Sequence, residues 1–173
     1  MSPAVAAIVV PFRLTGKTRL GPLPRRAREA LASAMLEDVL AACELVGATI
    51  VAEGEGQGQA VATQLASIDG PVAVVNADLP CATADDVEAL LAAAPALVAA
   101  PDGTTNAISL QAAHQFRPLY GHGSAARFQS RGLRPLDLPN LSDDVDTLDD
   151  LERVAERAGP STRAALDLVR VAR

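Results

Sequence analysis

The residues of this chain best suited to chemistry are aspartates at the ends of apolar segments. The run Pro71 to Val75 ends in Asn76-Ala77-Asp78-Leu79-Pro80, which sets a carboxylate where a strand should finish and a ligand crevice should open. A hard cation such as Mg²⁺ takes one or two carboxylates and shares its other positions with water and phosphate oxygens. Asp78 therefore reads as a metal ligand, against a turn residue before Pro80 or a cap for the following helix. Thr83 is the better cap, with Glu88 too far on to complete a capping box. Later, Ser142-Asp143-Asp144-Val145-Asp146-Thr147 precedes a helical pattern, and Thr147 with Asp150 makes a capping box. That box leaves Asp144 and Asp146 unexplained. In an extended segment they point to one side, and two such carboxylates repel unless something positive sits near them. A metal is one reading and a solvated acidic face the other.

A basic loop could balance those acids. After Val10 the chain reads Pro11-Phe12-Arg13-Leu14-Thr15-Gly16-Lys17-Thr18-Arg19-Leu20, with no acidic residue before Glu29, and Lys17 is the only lysine in the sequence. A compact ammonium suits a triphosphate as a point charge, whereas arginine offers a planar fork; the bland alternative is a solvated basic turn. Gly16-Lys17-Thr18 is not a P-loop, because Pro11 stands where the first glycine of that motif belongs. Two small-residue loops follow. Pro101-Asp102-Gly103-Thr104-Thr105-Asn106 has the donors for an anion and also the composition of a plain turn. Tyr120-Gly121-His122-Gly123-Ser124 opens a short helix, where N–H groups could hold a carboxylate or phosphate, or where Ser124 is simply the N-cap.

Other chemistries find no support. His114 and His122 lack metal-ligand spacing with Cys43 or Cys81, and no serine, histidine and acid pattern appears. Gly54-Glu55-Gly56-Gln57-Gly58 lacks the frame of a dinucleotide loop. A net charge of -6 argues against a general nucleic-acid binder. Two isolated cysteines fit a reducing cytosol, and the chain shows neither a signal-peptide pattern nor an apolar run near the length of a spanning helix. A soluble cytoplasmic protein with no membrane partner is expected.

These residues must be positioned by alternating strands and helices. Residues 1–173, with 49% hydrophobic content, suffice for one domain with a substantial core. Strands are expected over Ala4 to Val10, Thr49 to Ala52, Val72 to Val75, Leu97 to Ala100, Ile108 to Leu110 and Leu133 to Leu138. Helices are expected over Arg25 to Leu45, Gln59 to Ser67, Ala84 to Ala93, Ser124 to Ser130, Leu148 to Arg157 and Thr162 to Val171. The first helix carries Ala27, Leu31, Ala34, Met35, Val39 and Ala42 near helical spacing, which marks a core stripe.

Taken in order, Lys17-Thr18-Arg19-Leu20, Asn76-Ala77-Asp78-Leu79-Pro80, Gly103-Thr104-Thr105-Asn106-Ala107, Tyr120-Gly121-His122-Gly123-Ser124 and Asp144-Val145-Asp146-Thr147, together with Gly159-Pro160-Ser161-Thr162-Arg163, resemble the guanylyltransferases of coenzyme F420 biosynthesis that act on 2-phospho-L-lactate or phosphoenolpyruvate. The resemblance implies a single-domain α/β, Rossmann-like nucleotidyltransferase fold of the nucleotide-diphospho-sugar transferase type, with a mixed central sheet flanked by helices. It implies GTP as donor, a small phosphorylated acid as acceptor and Mg²⁺ as cofactor. By likeness Asp78, Asp144 and Asp146 hold the metal, with Asp78 and Lys17 catalytic. Thr105, Gly121 and Ser124 cradle the acceptor, and Arg13, Lys17, Arg19 and Gln59 face the nucleotide. The chain departs from the family between Cys43 and Val51, where a strand and helix are missing, so its N-terminal half is shortened. His122 stands where the family often has proline. A phosphate acceptor is already anionic at neutral pH, so the expected reaction needs no general base. The rival readings are a molybdopterin or sugar-phosphate nucleotidyltransferase, and a non-catalytic nucleotide-binding regulator. The oligomeric state stays open, a homodimer being one option.

Overall fold

The computed structural model describes residues 6–14 and 20–171. Six strands form one mixed sheet in the order β2-β1-β3-β5-β4-β6, with β1 Ala7–Phe12, β2 Ala48–Glu53, β3 Val72–Val75, β4 Ala96–Ala99, β5 Thr105–Leu110 and β6 Arg134–Pro135. The helices are α1 Arg25–Glu44, α2 Gln57–Leu65, α3 Ala84–Ala92, α4 Ser124–Ser130, α5 Pro139–Ser142, α6 Leu148–Val154 and α7 Pro160–Val171. Strand β1 pairs parallel with both β2 and β3. The β4–β5 hairpin turns antiparallel against β3, as a connection too short for a crossover requires. Gly103, at φ +83°, lets that hairpin close.

The strands read as nearly unbroken apolar runs because both sheet faces are covered. Ala7, Val9, Val72, Val74, Leu97 and Ile108 point into one core with α2, α4 and the aromatic residues. Ile8, Val10, Ala73, Val75, Ala96, Val98 and Ala107 point into the other with α1, α3 and α5. Helices α1 and α2 thus lie on opposite faces, so the chain leaves β1 in one direction and returns to β3 from the other side. The crevice beyond the carboxyl ends of β1 and β3 is the topological switch point where such sheets bind ligands.

A third core joins Leu20, Leu31 and Met35 to Cys81, Val145, Leu151, Val154 and Leu166, seating α6 and α7 beside the loop after β3. Asp38 of α1 is buried within this region and accepts from the N–H groups of Ser161 at 3.0 Å and Thr162 at 2.8 Å. It therefore caps the first turn of α7, where negative charge is favoured. Gly159 lies against that carboxyl so closely that a Cβ would collide with it, and its N–H donates to the Pro80 carbonyl at 2.8 Å. The Gly159-Pro160-Ser161 sequence is thus a joint between α1, α7 and the Asp78 loop.

Boundaries shift where propensity yields to context. Strand β5 begins at Thr105 rather than Ile108, so the two polar residues expected in a loop are strand residues. Helix α2 begins at Gln57, two residues before its expected start, and α7 begins at Pro160, whose fixed φ suits a first helical position. Strand β6 shrinks to Arg134–Pro135, since proline cannot donate to a ladder. Among the described residues no helix is long and apolar enough to cross a membrane.

Candidate active site

The loop after β3 is fixed by main-chain and side-chain bonds before any ligand enters. Asn76 donates its N–H to the Asn106 carbonyl at 3.0 Å and its side-chain amide to the Thr105 carbonyl at 3.2 Å. Two residues on, the Asp78 carbonyl accepts from the N–H of Val145 at 3.0 Å. This bond ties the β3 loop to the acidic segment before α6. The same segment is pinned after Asp146, where the Asp150 carboxylate accepts from the N–H of Asp146 and from the N–H and hydroxyl of Thr147. The capping box expected from Thr147 and Asp150 is present. At α3 the expectation was too narrow: Thr83 also has a capping box, completed by Asp86 at the third helical position.

The outcome is a cluster in which one carboxylate oxygen each from Asp78, Asp144 and Asp146 lie within 4.8 Å of one another, all half-buried. Asn106, itself buried, donates to the Ser142 carbonyl at 3.2 Å and to Asp144 Oδ1 at 3.3 Å. Burial, and next the neighbouring Asp78 charge, push the Asp144 carboxyl above its ordinary range despite that bond. Three converging hard oxygen donors with mutually unfavourable charge are the donor set that a divalent cation satisfies. Asp143, between Ser142 and Asp144, is built differently: its carboxylate is ion-paired with Arg153 and Arg157. Partial burial opposes its charge, but the two arginines outweigh that and hold it below the usual carboxylate range.

The cluster stands between two cavities. One, of about 340 Å³, is walled by Phe12, Ala32, Met35, Ala52 and Ala60, with Arg13, Gly54, Gly56 and Gln57 at its polar side and Asp78 and Asp146 at its end. The other, of about 270 Å³, is lined by Asp102, Thr104, Thr105, Asn106, Tyr120, Gly121 and Ser124, and it shares Gln57, Asn76, Asp78 and Asp146 with the first. Within it, the buried hydroxyls of Thr105 and Ser124 are bonded to each other at 2.9 Å. Ser124 is not the N-cap of α4; Gly123 occupies that place, in the left-handed region, without a side-chain cap. The serine side chain is thereby freed from capping and turned toward Thr105.

Of the residues singled out from sequence, Asp78, Asp144, Asp146, Thr105, Gly121 and Ser124 all line the second cavity. Arg13 lines the first, with Glu55 at 3.8 Å. Gln59 is exposed and lies off the cavity walls, because the early start of α2 turns Gln57 inward instead, where it donates to Asn76 Oδ1 at 2.6 Å. Lys17 and Arg19 lie outside the described residues. Sequence reasoning assigned no role to Gln57 or Asn76, and read Asn106 only as one of several donors that a loop could offer to an anion. The signal available for Asn106 was its place directly before the apolar pair Ala107-Ile108.

No family model matches the chain. It is 33% identical over 168 residues to 2-phospho-L-lactate guanylyltransferase of Methanosphaerula palustris, covering 83% of this chain and 80% of that one. It is 35% identical over 185 residues to phosphoenolpyruvate guanylyltransferase 2 of Rhodococcus jostii, covering 86% and 84%. Phosphoenolpyruvate guanylyltransferase of Sphaerobacter thermophilus is 44% identical over a shorter stretch of 96 residues, which spans 49% of this chain and 46% of that protein. An alignment of 168 positions that engages only 83% of 173 residues leaves part of the relative without a counterpart here, in keeping with a shortened chain. Among solved structures, a protein from Desulfovibrio desulfuricans G20 described only provisionally as a nucleotide-diphospho-sugar transferase superposes with a TM-score of 0.72 at 18% identity, covering 96% of this chain and 95% of that one. That likeness shows the fold, a nucleotide-diphospho-sugar transferase-like sheet, and the relatives matched over most of their length settle the lineage: the chain belongs to the phosphoenolpyruvate and 2-phospho-L-lactate guanylyltransferase family.

Proposed function

We propose that this protein is a guanylyltransferase that joins GMP from GTP to the phosphate of a small phosphorylated acid and releases pyrophosphate, as a step of coenzyme F420 biosynthesis. Phosphoenolpyruvate is the first-choice acceptor and 2-phospho-L-lactate the second. The observation that carries the reading is the position of the three carboxylates at the junction of an apolar-walled cavity and a hydroxyl-lined one. Phe12, Ala32, Met35 and Ala52 suit the faces of a base, while Arg13 stands on the triphosphate side. Lys17 and Arg19 are assigned to the triphosphate as well, from their place in the loop after β1. Gln57 takes the wall position expected of Gln59.

Asp78, Asp144 and Asp146 would hold Mg²⁺, which when bound supplies positive charge between two polyanions and Lewis-acid polarisation of phosphate oxygens. Thr105, Ser124 and the backbone at Gly121 bind the acceptor's carboxylate and so aim its phosphate. An acceptor phosphate oxygen attacks the α-phosphorus of GTP, a phosphoanhydride forms, and the bond to the β-phosphate breaks with its electrons leaving on pyrophosphate. No side chain need remove a proton, since the acceptor phosphate is already an anion at neutral pH. The work of the site is alignment and charge compensation.

The test is pyrophosphate release from GTP and Mg²⁺ with phosphoenolpyruvate, 2-phospho-L-lactate, 3-phosphoglycerate and a sugar phosphate in parallel. Turnover with one of the first two is expected. Release with the sugar phosphate alone would sink the reading, and GTP binding without turnover on any acceptor would make the protein a regulator. Lys17→Ala should raise the GTP concentration required for half-maximal rate; an unchanged dependence removes Lys17 from the triphosphate.

A further inference from the structure

We propose that Arg127 is a positioning residue for the acceptor, acting through the peptide groups of the 119–123 loop without touching the substrate; the inference rests on the acceptor assignment made above. Arg127 lies in α4 with its guanidinium folded back over the loop that precedes the helix. Its Nε donates to the Leu119 carbonyl at 3.2 Å, one terminal nitrogen donates to His122 at 2.7 Å, and the other donates to Leu119 at 2.9 Å and Tyr120 at 3.2 Å. One planar fork therefore holds three carbonyls of one short loop, which a single-point ammonium cannot do.

The consequence follows from peptide geometry. The peptide bonds of this loop are trans, and in a trans unit the C=O and the N–H point in opposite directions. Holding the Leu119 and Tyr120 carbonyls on the guanidinium side turns the N–H groups of Tyr120 and Gly121 to the other side. Tyr120 and Gly121 line the second cavity and Arg127 does not. Among the described residues, neither of those N–H groups enters a hydrogen bond within the protein. Two peptide donors are thus left available at the wall that carries the Thr105 and Ser124 hydroxyls, a set suited to a carboxylate. A charged donor on each carbonyl also polarises the peptide and strengthens its N–H as a donor.

The loop sequence is fitted to this arrangement. Gly121 at φ +106° and Gly123 at φ +70° take backbone conformations that side chains disfavour, and a Cβ at either would lie 3.8 Å or 3.6 Å from the guanidinium nitrogens. Arg127 itself is exposed on the outer side, so its site can be reached from solution.

Arg127→Ala and Arg127→Lys, assayed beside the wild type with GTP and phosphoenolpyruvate or 2-phospho-L-lactate, test the proposal. Both should raise the acceptor KM by roughly tenfold or more while the GTP KM changes less than about twofold. Guanidinium chloride at low millimolar concentration should restore part of the acceptor affinity of Arg127→Ala, and urea at the same concentration should not. Arg127→Lys keeps the charge, so its failure to restore a normal KM separates the fork from simple electrostatics. Equal rises in both KM values, a normal acceptor KM in either variant, or rescue by urea as well as guanidinium would overturn the positioning role alone. A wild type inactive with every acceptor would overturn the functional reading and this inference with it.

Discussion

Asp143 and Asp144 are neighbours in sequence and opposites in design. Asp143 faces Arg153 and Arg157, which hold its carboxyl below the ordinary range. Asp144 faces Asp78 and Asp146 in a half-buried pocket, and burial drives its carboxyl upward although the Asn106 amide and its own backbone N–H ease the charge. One position is complete within the chain. The other lies in a carboxylate cluster that the proposed cation would complete, and hydrogen bonds around it, from the Val145 N–H to the Asp78 carbonyl and from the Asp146 N–H to the Asp150 carboxylate, hold the segment in place. The difference separates a carboxylate that stabilises from one that is held in readiness.

Substitutions at the two kinds of site should therefore split activity from stability. Asp78→Asn or Asp144→Asn should lower turnover by roughly a thousandfold while leaving the melting temperature in chelator unchanged or raised, as read by circular dichroism; near-normal turnover in either variant would remove that residue from the site. Asn106→Ala, which strips the bond to Asp144, should cost about 10–100-fold in turnover or in the Mg²⁺ requirement, the range for a residue supporting a metal ligand. Asp143→Asn should do the reverse, with activity within a few-fold of wild type and a stability loss of about 1 kcal/mol, small because its arginines are half-exposed to screening solvent. A large activity loss at Asp143 would erase the contrast.

The smallest effect is a pH dependence. Because the folded pKa of Asp144 is raised, the native protein keeps its proton to higher pH than the unfolded chain does. Its charge costs no stability below the ordinary carboxylate range, near pH ~4, and the cost grows as pH rises through the elevated pKa. Asp143 has the opposite sign, its contribution being present above the ordinary range and lost as pH falls through its lowered pKa. In chelator, Asp144→Asn should thus gain stability relative to wild type on raising the pH from ~4, and added Mg²⁺ should abolish the gain. A pH-independent difference would show that the cluster's repulsion is relieved within the chain.

Much of this was legible in the sequence because the relevant signals are periodic or local. Short β-branched apolar runs at Ile8 to Val10 and Val72 to Val75 marked the central strands, and the Thr147 and Asp150 spacing identified a capping box that left Asp144 and Asp146 open between a metal and a solvated acidic face. What was hidden depends on tertiary context. Nothing local says that Gln57 rather than Gln59 faces inward, since that follows from where α2 begins. Sequence reasoning gave Asp38 no role, because its bonds to Ser161 and Thr162 span most of the chain. Ser124 looked like a cap because sequence could not show that Thr105 would stand 2.9 Å away.

The two main-chain bonds from Val145 to Asp78 and from Gly159 to Pro80 also order events in time. A ribosome delivers the sheet, the apolar cavity and the hydroxyl cradle before it delivers the segment bearing Asp144 and Asp146, and the joint that seats this segment comes later still. On the proposed metal assignment, a nascent chain would offer Asp78 alone to a divalent ion, as a weak monodentate ligand. Tight cation uptake would then report that synthesis has passed Gly159 and that the last helices have docked, which would make metal affinity a readout of completed folding as well as of chemistry.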